Sequence, residues 1–228
     1  MTSRRNEAQR GPIQRPPRLG EEVYSAIYSQ LMTLQIPPGG RISVDSLVRD
    51  LGVSQTPIRE ALSRLEAQGL VTKTHLVGYS ATNQIDRKKL EQLYELRLLL
   101  EPHAAARAAI NMSEEELADL EQLANDMKTP PEDNGDPRTA YSRFARNDAA
   151  FHDKIAEGSG NELVQEALAR LYIHVHLFRL YYHTLATATA NAEHKEIIRA
   201  LKRRAPQDAE NAMREHILRS RERFIVAV

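Results

Sequence analysis

The sequence predicts a mainly α protein in two parts: a small helical unit closed by a β-hairpin, then a six-helix antiparallel bundle. Three observations predict it. Apolar residues recur at helical spacing through most of the chain. Glycines and prolines gather in a few places ("PPGG", "TPPEDNGDP", "GSGN") and cut that periodicity into helix-sized lengths. Only two short stretches, 41–43 and 70–82, carry strand-like residues.

The first 17 residues are charged and rich in arginine and proline, without an apolar core, and read as a flexible arm rather than a secretory signal. A first helix is expected from about Leu19 to Gln35, with Val23, Ile27, Leu31 and Leu34 on one face. Pro37–Gly40 ends it, and "RIS" suits a short strand. A second helix carries Leu47, Val48 and Leu51, with Gly52 as its C-terminal cap. A third begins at Ser54 or Thr56, has Pro57 in its first turn, buries Ile58, Leu62 and Leu65, and stops at Gly69. "LVTKTHLVGYSAT" is a hairpin around a turn. Helix, helix, glycine turn, helix and hairpin is the order of a winged helix-turn-helix, here over 18–82, with a linker over 83–89.

From 90 to 228 the pattern is helical. Helices are expected near Lys88–Ile110, Ser113–Lys128, Arg138–Glu157, Asn161–His183, Thr189–Arg204 and Gln207–Val226. Ser113 and Glu116 form a capping-box pattern ahead of Leu117, Leu120, Leu123 and Met127. Bundles of this kind commonly hold metal and ligand sites between facing helices.

Composition narrows the chemistry. Lys plus Arg and Asp plus Glu both number 31, so net charge selects no partner. Up to Thr82 there are ten basic and seven acidic residues, against 21 and 24 beyond it. A mildly basic front is compatible with nucleic acid. There is no cysteine, which excludes disulfides and thiolate metal sites and fits a cytoplasmic setting. No apolar run approaches the ~20 residues of a membrane span, so no membrane partner is expected.

The third helix carries groups that read DNA. A recognition helix places its N-terminal half at base edges in the major groove. There, Gln55 suits adenine and Arg59 guanine, while Ser54 and Thr56 suit phosphate. On composition alone the same residues suit an ordinary solvated helix face. The stretch "LVRDLGVSQTPIREALSRLEAQGLV", joined to the wing "THLVGYSAT", resembles the DNA-binding signature of the GntR family of bacterial transcription regulators. The resemblance implies a DNA-contacting role for Arg59 and for the wing glycine, Gly78. Gln55 stands where the family uses an arginine, Asp45 starts the second helix, and Val77 replaces a frequent wing arginine. These departures imply an altered operator preference.

The back half has a second constellation. Asp148 and His152 lie four residues apart, on the same helix face as Phe151 and Ile155. His194 shares a face with Ile197, Ile198 and Leu201. His216 shares one with Met213, Ile217 and Ser220. A carboxylate in an apolar core is costly unless paired or bound to a cation. Three imidazoles and a carboxylate suit a divalent transition metal. Taken singly, each histidine reads first as a locally hydrogen-bonded core position. The segments "ELRLLLE", "DAAFHDKIAEGSGN", "EHKEIIRAL" and "MREHI" resemble the effector domain (FCD type) of the FadR subfamily of GntR regulators. That resemblance implies Asp148, His152, His194 and His216 as metal ligands. It also implies that Arg97 is a pocket residue able to grip a carboxylate, although an i,i+4 pair with Glu101 is its ordinary alternative. In "LYIHVHLFRLYYH", His174 and Arg179 are further candidates for the effector pocket, His176 and His183 read as solvated or at an interface, and Tyr181 and Tyr182 suit pocket, dimer surface or core alike.

Together these imply a homodimeric regulator, expected to repress. It would bind a near-palindromic double-stranded operator and sense a small carboxylate-containing effector at a metal, zinc first, with nickel, manganese or iron as alternatives. Two rival readings are a metal-dependent hydrolase fused to a DNA-binding unit, and a constitutive architectural DNA binder. The absence of an HExxH motif and of an obvious general base weighs against the hydrolase.

Overall fold

A computed structural model describes residues 18–127, 137–171 and 186–225. Helix α1 (Arg18–Met32) is followed by β1 (Arg41–Ile42), α2 (Val44–Leu51) and α3 (Gln55–Ala67). The wing strands are β2 (Val71–Thr74) and β3 (Gly78–Ala81), and the sheet order is β1-β3-β2 with antiparallel pairing. The expected short strand at "RIS" is thus the third member of the wing. In the wing turn Val77 N–H reaches the Thr74 carbonyl at 3.1 Å. Gly78 leaves that turn at φ 108°, a conformation side chains other than glycine's rarely adopt.

The head closes around Ile27, Leu31, Ile58, Leu62, Leu65 and Leu70, all fully buried. Ser43 caps α2 by accepting from Ser46 N–H, and Gly52 ends it in the left-handed conformation. Helix α1 stops short of the expected Gln35. Thr33 donates its hydroxyl to the Ser29 carbonyl at 2.7 Å, and Leu34 turns to φ 59°. Leu34 therefore leaves the helical stripe and is only half-buried.

The first helix of the back half starts one residue before the expected Lys88. Asp86 caps α4 (Arg87–Asn111) by accepting from Lys89 N–H at 2.7 Å, so the helix takes up the end of the expected linker. The remaining helices are α5 (Glu114–Asp126), α6 (Pro137–Gly158), α7 (Glu162–Arg170), α8 (Ala186–Lys202) and α9 (Pro206–Ile225). Helix α4 is the hub and packs against α6, α7, α8 and α9. Pro102 lies inside it, removing one helical hydrogen bond directly after Glu101. The capping box at Ser113 and Glu116 forms as expected.

The break at "GSGN" is built by contact. Gly158 ends α6 where any Cβ would collide with the Met112 side chain. Gly160 adopts φ 70°, and Asn161 caps α7. The described part of α7 ends at Arg170. The remainder of the expected 161–183 helix, with His174 and Arg179, lies outside the described residues.

Candidate metal centre

Three helices deliver the imidazoles that the sequence singled out. Helix α6 brings His152, α8 brings His194 and α9 brings His216. One ligand atom from each lies within 4.8 Å of the others. His194 is fully buried and its ring stacks on Phe151 with centroids 4.4 Å apart. Asp148, one turn before His152, places Oδ1 3.3 Å from His194 Nε2. The expected set of four thus converges, with the three histidines at its centre and Asp148 at its edge.

Two carboxylates orient two of the rings. Glu101 Oε2 lies 2.7 Å from His152 Nδ1, and Glu193 Oε2 lies 2.7 Å from His216 Nδ1. A carboxylate accepts, so His216 Nδ1 carries the proton and its Nε2 keeps its lone pair, whereas the His152–Glu101 contact is a close ion-pair approach without hydrogen-bond geometry. The two Nε2 atoms then face each other at 3.2 Å. Bare lone pairs at that distance repel unless a cation or a shared proton lies between them. His194 adds a third buried imidazole whose ring nitrogens make no hydrogen bond, its Nε2 having only the 3.3 Å contact with Asp148 Oδ1. A metal ion would take one of these nitrogens as a ligand. The donor set, nitrogen-rich with one carboxylate, fits a divalent transition metal.

For two of the three imidazoles the electrostatics favour ligation. Burial, with the neighbouring imidazoles, pushes the His194 pKa down, and burial does the same to His216. Both rings are held in the neutral form that ligates. Burial raises Asp148 above its ordinary value, a cost that a bound cation offsets. For His152, Glu101 outweighs burial and raises the pKa. Burial acts to raise Glu101 too, but Arg97 and His152 overcome it and hold the carboxyl well below the usual range.

Arg97 is buried on α4, its Nε 2.5 Å from Glu101 Oε1. It also lies over the Tyr94 ring, whose hydroxyl pairs with Ser220 at 2.8 Å and is pushed up to about 12 by burial. The i,i+4 pair that the sequence offered as the alternative is therefore made, and it is buried, not on the surface. Arg97 does not line the adjoining cavity; Glu101 stands between it and His152.

That cavity has a volume of about 390 Å³. Glu101, Asp148 and His152 line it, and His194 and His216 adjoin it through Asp148 and His152, at 3.3 and 3.2 Å. It is also lined by other residues of α6 and α7, by Tyr24 and Tyr28 of α1, and by Ala67 and Gln68 at the end of α3.

Sequence reasoning missed two residues, Glu193 and Arg223. Arg223 grips Glu193 through two bonds of 2.7 and 2.9 Å, and Glu193 in turn orients His216. Two signals pointed to them: Glu193 directly precedes His194, and Arg223 follows His216 by seven residues, two turns along one helix face.

At the other end of the molecule, Ser54, Gln55, Thr56 and Arg59 are all exposed along the start of α3, and Gly78 is exposed in the wing. Gln55 donates to Asp45 at 2.9 Å and accepts from Arg59 at 3.3 Å. The departures noted in the sequence, Asp45 and Gln55, thus form one polar chain with Arg59. Among the described residues no helix is long and apolar enough to cross a membrane.

Comparison with known proteins places both parts. Residues 92–219 match the family described as FCD domain, and residues 19–79 match "Bacterial regulatory proteins, gntR family". The HTH-type transcriptional regulator YdhC of Bacillus subtilis, itself uncharacterized, is 27% identical over 199 residues, 86% of this chain and 85% of that protein. A Paenarthrobacter nicotinovorans protein named "Probable D-xylose utilization operon transcriptional repressor" is 27% identical over 200 residues, 87% of this chain and 85% of that one. The solved structure of Escherichia coli McbR/YncC shares the fold with a TM-score of 0.64 at 21% identity, covering 90% of this chain and 95% of that one.

Proposed function

We propose, for a chain that belongs to the GntR family of bacterial transcription regulators and carries its FCD domain, a metal-dependent sensor of small carboxylic acids that represses from a near-palindromic operator. One observation carries the reading: the convergence of His152, His194 and His216 beside Asp148 at the inner wall of a cavity. A divalent transition ion there, zinc first, supplies a Lewis-acidic anchor for an anionic group. Asp148 and the three imidazoles hold it. Glu101 and Glu193 fix the rings, and Arg97 and Arg223 hold those carboxylates in place. With Glu101 lowering the charge of its immediate surroundings, Arg97 is a positioning residue rather than the direct grip on the acid.

The head reads DNA through α3, with Arg59 and Gln55 at base edges, Ser54 and Thr56 at phosphate, and the wing turn at Gly78 alongside. A homodimer matches the symmetry of a two-half-site operator. Its support is the outer face of α4 and the start of α7, where Leu99 is 71%, Ile110 59% and Leu163 78% exposed. The name of the Paenarthrobacter relative supports repression.

The test is operator binding with full-length protein, on genomic fragments that the protein itself selects, with the metal loaded or stripped and with small acids added. Release of DNA by an acid only when metal is present is expected. Release that is indifferent to the metal contradicts the reading.

A further inference from the structure

We infer that the effector cavity is completed by the DNA-binding head, so that an acid with an apolar body touches both domains at once. The inference rests on the reading that a carboxylate binds at the metal. Its own support is the composition of the cavity wall. The bundle supplies Glu101, Asp148 and His152 and further residues of α6 and α7, among them Ala149 and Leu168, and the head supplies the rest. The head's share is Tyr24 and Tyr28 from α1 and the end of α3 at Ala67 and Gln68.

The two sides differ in chemistry as well as origin. The metal side is polar and takes an anionic group. The head side is two tyrosines, an alanine and the Gln68 amide, and at about 390 Å³ the space far exceeds what a carboxylate group needs. A pocket with one fixed polar end and an apolar remainder selects a ligand with the same division. Tyr28 is 2% exposed and its hydroxyl has no hydrogen-bond partner, while Arg146 of α6 lies 5.3 Å from its ring centroid. Arg146 sits two residues before Asp148, so the helix that carries the metal ligands also clasps the head.

The head side of the wall is mechanically tied to the recognition helix. Tyr24 donates its hydroxyl to Gln68 at 2.5 Å, and Gln68 is the residue that caps α3. Arg64 of α3 covers the other face of this contact, 4.3 Å from the Tyr24 ring centroid. A ligand lodged against Tyr24, Tyr28 and Ala67 therefore binds one placement of the head better than another, and that differential affinity is what couples a ligand to DNA.

The experiment uses full-length, metal-loaded protein and two probes, acetate and 3-phenylpropionate, titrated by calorimetry. The wild type should bind 3-phenylpropionate at least roughly tenfold more tightly than acetate, since only the larger acid buries an apolar body. Ala67→Phe, from the head, and Ala169→Phe, from the bundle side of the same cavity, fill it at exposed positions that the fold tolerates. Each should remove that advantage while leaving acetate affinity and metal content unchanged. Equal affinity for the two acids in the wild type overturns the inference, as does a 3-phenylpropionate affinity that Ala67→Phe leaves intact. A parallel loss of acetate binding in Ala67→Phe overturns it too, because the head would then act only through the metal end. If the metal is bound and neither acid binds, the acid-sensing reading fails with it; if acetate alone binds, only the shared cavity fails.

Discussion

His152 Nε2 and His216 Nε2 stand 3.2 Å apart although 64 residues separate them in the chain. Behind each ring lies the same sequence of groups. Arg97 holds Glu101, which faces His152; Arg223 holds Glu193, which faces His216. Two arginine–carboxylate–imidazole relays thus bring two Nε2 atoms to one place, and His194 adds a third imidazole beside them.

These relays predict a graded loss of metal. Glu193→Gln keeps shape but weakens the orientation of His216, and Glu101→Gln does the same for His152. Each should lower metal affinity by about 10–100-fold, the usual effect of removing an outer-shell partner. Competition with a chromogenic chelator measures it. Wild-type affinity in both variants would show the carboxylates to be bystanders.

The DNA-reading face predicts a separate effect. Arg59→Ala should cost about 1–3 kcal/mol of specific operator binding and leave metal content untouched. Gln55 already has two partners, Asp45 and Arg59, so Asp45→Ala frees it and should shift base preference rather than abolish binding. Binding-site selection at fixed salt checks both.

Much of this was legible in the sequence because it is local. Asp148 and His152 share a face by helical spacing, the capping box at Ser113 needs only four residues, and Gly52 closes α2 as a cap does. What was not legible depends on contacts made across the chain. Glu193 reads as a solvated helix residue until Arg223 and His216 of α9 close over it. Leu34 reads as part of a stripe until a local side-chain bond from Thr33 and a left-handed turn end α1. Arg97 pairs with Glu101 as i,i+4 spacing allows, yet only the packing of α6 and α9 on α4 buries that pair beneath the histidines.

The exposed face of α4 predicts the oligomeric state. Leu99→Glu, alone or with Leu163→Glu, introduces charge at two outward-facing leucines and should convert a dimer to a folded monomer. Light scattering coupled to size exclusion reads the mass, and an unchanged dimer mass moves the interface elsewhere.

The α6–α7 break predicts a stability effect far from either binding face. Gly158→Ala places a methyl against Met112 and should cost about 1–3 kcal/mol, the range for overpacking a filled interior. Urea denaturation followed by circular dichroism gives the value, and a neutral result would mean that Met112 moves aside freely.

The central claim is the metal centre, and metal content tests it most directly. Elemental analysis of full-length protein as purified, beside the His152→Ala plus His194→Ala variant, reads it without knowledge of effector or operator. The wild type should carry a divalent transition ion and the double variant none, with both folded by circular dichroism. Full metal retention in the double variant, or a wild type that takes up no such ion when one is supplied, contradicts the account.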